Sequence, residues 1–167
     1  MSQIEIRIVK LAPMRAASVL GFGESPEQES WRKIFAFARE NGMLDQLHQH
    51  RFFGFNNPNP SPGSPNYGYE QWITLSPQHQ PRGEAELIDF AGGLYAVARA
   101  RGIPAIGPTW QKLVRWRKDS SFQAGPHQWL EECLNPARAF AGLDDLADPG
   151  SAVFAELELG LYLPIND

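Results

Sequence analysis

The sequence predicts an α+β domain: two β-α-β-β modules side by side, sharing one antiparallel sheet with two main helices on one face and a central ligand cleft between them. Three observations carry this: an internal self-similarity, two amphipathic helical stripes at matching places, and aromatic or β-branched segments after the first helix. Sliding the chain over itself by 79 positions sets Trp31 on Trp110, Ala12 on Ala91, Ala17 on Ala96, Gly23 on Gly102 and Lys33 on Lys112. Leu11 then meets Phe90, and Ile34 meets Leu113. An offset held over so long a stretch, with a tryptophan identity in it, reads as one supersecondary unit used twice. Its period is too long for a solenoid repeat of about 20–50 residues. The chain is therefore read as a single domain over 1–167, with modules at about 1–80 and 81–167.

In the first module Ile4, Ile6 and Ile8 alternate with polar residues, the pattern of a half-buried strand. Ser25-Pro26-Glu27-Gln28 then supplies a capping serine, a proline at the first helical position and a glutamine three residues past the cap. The helix this opens runs to about Asn41, with Gly42 as its stop, and Trp31, Ile34, Phe35 and Ala38 form its apolar stripe. Strand segments follow at 51–55 and 69–75. Between them, 56–66 holds so much asparagine and proline that regular structure is excluded. An interdomain linker is one reading of that segment, and flanking strands close enough to pair favour a stiff hairpin loop. The second module starts with a strand at 91–98 and a helix from Pro108-Thr109 to about Ser120 with Trp110, Leu113 and Val114 on its stripe. A short helix at 127–134 and a closing strand at 155–165 complete it. The axis relating the modules creates a groove between the helices, and ligand sites favour such concave seams.

Composition narrows the function. Hydrophobic residues at 43% against charged ones at 20% suit a packed core rather than a disordered chain. With 15 basic against 19 acidic side chains there is no positive excess to neutralise a phosphate backbone, so direct nucleic acid binding is not expected. The apolar segment 157–165 is interrupted and far shorter than the roughly 20 residues of a membrane span. The first 20 residues lack the basic start and greasy run of a signal peptide, which points to the cytoplasm. Cys133 is the only cysteine, without a disulfide partner or a thiolate cage. No helix-turn-helix-sized segment precedes Ile4, so direct transcriptional control is not expected.

Among candidate site residues Glu70 stands out, because Gly68-Tyr69-Glu70-Gln71-Trp72-Ile73-Thr74-Leu75 is a strand with bulky neighbours. Period two puts Glu70, Trp72 and Thr74 on one face and Tyr69, Gln71, Ile73 and Leu75 on the other. If the first face carries the helices, Glu70 sits between aromatic walls as a general acid or as the counterion of a cationic ligand. The bland alternative is an edge-strand glutamate in water. Phe22, Phe55, Trp72, Trp110 and Tyr162 are the other ligand-binding candidates, since ring faces attract flat, apolar and cationic compounds. Most aromatics nonetheless serve the core. His48 and His50 would share a strand face and begin a metal site, but nothing completes a ligand set, and no metal or cofactor is expected. Glu131 and Glu132 beside Cys133 would raise its pKa and blunt it as a nucleophile. No dinucleotide, Walker or G-x-S-x-G pattern is present.

The stretches Val9 to Ala17, Arg51 to Trp72 with Phe53-Gly54-Phe55-Asn56-Asn57-Pro58-Asn59-Pro60 inside it, and Gly160-Leu161-Tyr162-Leu163-Pro164-Ile165 together resemble the GyrI-like small-molecule-binding domains. These are the effector-binding domains of AraC type, and Arg51 to Trp72 resembles their stand-alone branch. The resemblance covers essentially the whole chain and is most specific in the asparagine-proline loop with its Tyr-Glu-x-Trp strand. It implies a bacterial protein with two β-α-β-β modules of the SHS2 kind. It also implies a cleft for hydrophobic, aromatic or cationic compounds, with Glu70 matching the acid of that strand. The leading functional expectation is a stand-alone binding module for xenobiotic sensing, sequestration or detoxification. The alternatives are a hydrolase of cyclopropane-bearing electrophilic toxins using Glu70, and a DNA gyrase-inhibiting interaction protein. Where relatives close on Glu-Leu-Tyr-Leu-Pro this chain has Gly160, which removes one symmetry-related carboxylate; Glu158, two residues away on the same strand face, is the candidate substitute.

Overall fold

In the computed structural model, which describes residues 3–148 and 150–167, β1 (Arg7–Leu11) continues through Ala12 and Pro13 into β2 (Met14–Gly23). Likewise β5 (Glu86–Phe90) continues through Ala91 and Gly92 into β6 (Gly93–Arg101). The two long segments pair antiparallel in one register: Arg7 lies opposite Val97, Leu11 opposite Gly93, Met14 opposite Phe90 and Ser18 opposite Glu86. Gly92 is in the left-handed region at φ 81° and would press a side chain onto the Leu11 carbonyl, so the crossing of the two segments requires glycine there.

The remaining strands are β3 (Phe52–Asn56), β4 (Tyr67–Leu75), β7 (Gln123–Ala124), β8 (Leu130–Cys133) and β9 (Glu158–Asn166). All pairings are antiparallel, in the order β1-β6-β9-β8-β3-β4-β2-β5, with the short β7 attached to β9. The sheet's two ends, β1 and β5, are each tied by two residues to a strand near the opposite end, so the sheet curls round on itself. The offset of 79 carries β1 onto β5, Met14 onto Gly93, and Glu40, the last residue of α1 (Pro26–Glu40), onto Asp119, the last of α2 (Ile106–Asp119). Where the first half has the loop 57–66, the second has α3 (Pro136–Ala141), a 3-10 turn at Leu143–Ala147 and α4 (Ala152–Glu156). Among the described residues no helix is long and apolar enough to cross a membrane.

Both main helices lie on one face of the sheet, and the curl gives each face its own core. On the helix side Trp31, Ile34 and Phe37 of α1 and Leu113 of α2 pack on Phe52, Ile73 and Leu161. The other side is a strands-only cluster in which Phe53, Phe55, Trp72, Tyr95 and Tyr162 are all buried.

Several expectations are corrected. Segment 127–134 is not a helix: residues 130–133 form β8, inserted between β9 and β3 with both its backbone edges paired. Strand pairing starts only at Arg7, and Ile4 and Ile6 pack against the helix-side core ahead of it. The closing strand starts at Glu158, because 152–156 is α4. His48 and His50 do not share a strand face; they lie in and just after a 3-10 turn at Leu44–Gln49, and the His50 ring bonds the Thr74 carbonyl at 2.7 Å.

Candidate functional site

Along β4 the helices take the face of Tyr69, Gln71, Ile73 and Leu75, and Glu70 and Trp72 turn into the curl. Between the N-terminal ends of α1 and α2 the helix side opens into a cavity of about 420 Å³ bordered by Glu27, Trp31, Tyr69, Gln71, Ile106 and Glu131, among others. The acid on its floor is thus Glu131.

A glycine builds this floor. Gly54 of β3 lies opposite Gln71 on one side and opposite Glu131 on the other, so the three form a row across the sheet. With strands about 4.8 Å apart, Gln71 and Glu131 stand roughly 10 Å apart at the backbone. The Tyr69 phenol occupies the space a side chain at 54 would need, and its hydroxyl donates to Glu131 Oε1 at 3.1 Å. Trp110 Nε1 reaches Oε2 at 3.5 Å, and the Trp110 ring lies 5.2 Å from that of Trp129. At the cavity's edge Tyr67 donates to Glu27 Oε1 at 2.6 Å.

Burial pushes the Glu131 carboxyl above its ordinary range; the Tyr69 and Trp110 hydrogen bonds pull the other way, and the Glu27 charge adds to the rise. Part of Glu131 is open to the cavity, but the protein packed around it excludes most water. Burial likewise holds the Tyr69 phenol well above its usual value and pushes the Cys133 thiol, on the cavity wall, up to about 12. Among the described residues bordering the cavity there is no lysine, arginine or histidine. A carboxylate without a counter-charge, walled by indole and phenol rings, is the environment that favours an organic cation.

The six residues singled out from the sequence do not assemble in one place. Glu70 lies on the face away from the helices. Its Oε2 accepts from Ser18 Oγ at 2.9 Å and Trp72 Nε1 at 2.6 Å, and its Oε1 from Asn57 Nδ2 at 3.1 Å. It ties the start of the asparagine-proline loop to β2 and β4. Phe55 and Trp72 meet edge to face at 5.1 Å in the strands-only core. Tyr162 donates to Glu132 at 2.6 Å, and Arg51 clasps that carboxylate through two nitrogens at 2.7 and 2.9 Å. Phe22 is 57% exposed near the end of β2. Trp110 does reach the cleft acid, and Phe55 shares with it a shallower hollow beside Trp129 and Glu131. Trp31, the residue paired with Trp110 by the offset, borders the main cavity.

Gly160 has a packing reason. A Cβ there would meet the Tyr162 ring at 3.2 Å and Glu132 Cβ at 3.9 Å, so a glutamate would crowd the Tyr162–Glu132 contact. Glu158 does not stand in for it at the cleft; it pairs with Arg99 at 3.4 Å on the surface. Sequence reasoning passed over Glu131 as a site residue. Its available signal was Gly54 among phenylalanines, a gap in an otherwise bulky strand.

Residues 4–143 match the GyrI-like small molecule binding domain. No curated protein matches the sequence. Among solved structures, the C-terminal domain of EcmrR is similar at a TM-score of 0.65 and 10% identity, with 99% of each chain covered. The chain spans 57% of the EcmrR chain in the EcmrR–DNA complex. A hydrolase from Listeria innocua is similar at a TM-score of 0.64 and 12% identity, covering 99% of this chain and 94% of that one. SAV2435 bound to tetraphenylphosphonium is similar at 0.53 and 12% identity, over 98% and 94%. At these identities the likeness is one of fold. The match over most of the sequence, on a curled antiparallel sheet with a cleft between two helices, places this chain in the GyrI-like small-molecule-binding domain family.

Proposed function

We propose that the chain binds hydrophobic organic cations in the cleft between α1 and α2, with Glu131 as counterion, Trp31 and Tyr69 as aromatic walls and Trp110 donating to the acid from the adjoining hollow, in sensing, sequestration or detoxification of such compounds. The observation that carries this is the enclosed Glu131 carboxyl in a cavity that no basic side chain borders among the described residues. That SAV2435, a similar fold, holds tetraphenylphosphonium supports the reading. Titration with tetraphenylphosphonium or a planar cationic dye, followed by tryptophan quenching, tests it. Glu131→Gln, which keeps an acceptor for Tyr69, lowers affinity at least tenfold, the scale of one lost charge-assisted contact. Glu70→Gln leaves affinity unchanged. Equal binding by native chain and Glu131→Gln refutes the assignment.

A second reading has its own support. A carboxyl with a raised pKa beside a cavity is suited to general acid or base work on water, and one structure of similar fold is a hydrolase. Turnover of a cyclopropane-bearing electrophile by the native chain, Glu131→Gln and Glu70→Gln decides it and names the acid; no turnover by the native chain ends it.

A further inference from the structure

Gln71 makes the floor of the cleft asymmetric. It borders the cavity, is only 1% exposed, and its Oε1 is buried without any hydrogen-bond partner. A buried acceptor left unpaired is costly, and folded proteins rarely keep one without a use. Packing does not require an amide there. Gln71 lies opposite Val19 on β2; the offset of 79 carries Val19 to Ala98 on β6, whose partner on β9 is Leu161, wholly buried. The equivalent place in the other half of the sheet is therefore filled by leucine.

The row across Gly54 supplies the use. Glu131 stands on one side, Gln71 on the other, and the Tyr69 hydroxyl lies over the glycine between them. We propose that Gln71 Oε1 accepts an N–H from the bound cation, so that the cleft favours ligands with a protonated primary or secondary amine, or an amidinium, over quaternary ammonium and phosphonium ions. This deepens the cation reading above and rests on it. Such a ligand donates one N–H to Glu131 and a second to Gln71. A quaternary centre offers only charge. Rotation about the last side-chain torsion of glutamine, which is broad, exchanges the two ends of the amide, so that Oε1 faces the cavity and the NH2 takes its former place.

The test compares naphthylmethylammonium with its N,N,N-trimethyl counterpart on the native chain, on Gln71→Leu and on Gln71→Met, by calorimetry. The quantity read is the ratio of the two affinities, so the different hydration of the two ions cancels between proteins. The ratio of primary to trimethyl affinity falls about tenfold from the native chain to either variant, the value of one hydrogen bond to a charged group. Trimethyl binding stays within about twofold, which also reports that the variants fold. An unchanged ratio in a variant that still binds the trimethyl ion overturns the role of Gln71 and leaves the cation reading standing. Failure of the native chain to bind either ion overturns both.

Discussion

At Gly54 a hydrogen atom stands where any other residue would place a Cβ, and the Tyr69 phenol fills that space on its way to Glu131. Gly54→Ala therefore drives the ring off the floor, costing about 1–3 kcal/mol as an overpacked core site. It weakens cation binding more than Tyr69→Phe, which removes the hydroxyl alone; urea denaturation and dye titration read the two effects. The adjacent glutamates behave in opposite ways, because successive residues of a strand face opposite sides. Glu131 faces the cleft, and Glu132 faces the strands-only core, held by Arg51 and Tyr162. Arg51 is 44% exposed and Glu132 8%, so this pair lies between a surface and a buried ion pair. Glu132→Ala should cost about 1–3 kcal/mol in a thermal or urea melt and leave cation affinity within twofold. Equal stability, or a loss of binding as large as that of Glu131→Gln, would contradict this division.

The two main helices were legible because their apolar residues recur at helical spacing and proline and glycine punctuate the first. Even so, Phe37 rather than Phe35 is the buried phenylalanine of α1, while Phe35 leans on Phe140 at 5.2 Å. The strands were harder, for a reason the curl supplies. With an apolar core on each face, alternation along β4 groups Glu70 with Trp72 and Tyr69 with Gln71, but does not say which group meets the helices. The assignment of Glu70 to the cleft hung on that undetermined choice. β8 was illegible for a related reason: in Leu-Glu-Glu-Cys the glutamates face the cleft and Arg51 respectively, so neither buried partner shows as apolar alternation. β5 carries Glu86 and Asp89 at an exposed edge of the sheet, and it is located by its continuation of β6's register rather than by hydrophobic pattern.

At the scale of the whole molecule the two-sided core sets how stability and binding depend on pH. Glu131 is disfavoured as an anion in the empty cleft, so its folded-state pKa lies above that of the unfolded chain. Between those values the folded state holds a proton that the unfolded state has lost. The contribution of Glu131 to stability is therefore fully present below the ordinary carboxyl range and is lost as pH rises through the folded-state value. Glu29 acts in the opposite sense, held low by the Phe22 amide and Lys33, but it is solvent-exposed and its contribution is small. Tyr69 and Cys133 are raised too, and with ordinary values near the alkaline end they take no part in the acidic window. In the proposed complex a cation reverses the Glu131 preference by supplying the missing charge, so affinity should increase with pH over the range in which Glu131 withdraws its contribution to stability. Binding in that range releases up to one proton. Calorimetry in two buffers of different ionisation enthalpy counts the proton, and ligand-induced shifts in Tm measured from mildly acidic to neutral pH follow the affinity. Glu131→Gln flattens the pH dependence of both. A native chain whose affinity is constant across that range would mean that the carboxyl does not change its ionisation on binding, and that the cleft attracts its guests through ring faces alone.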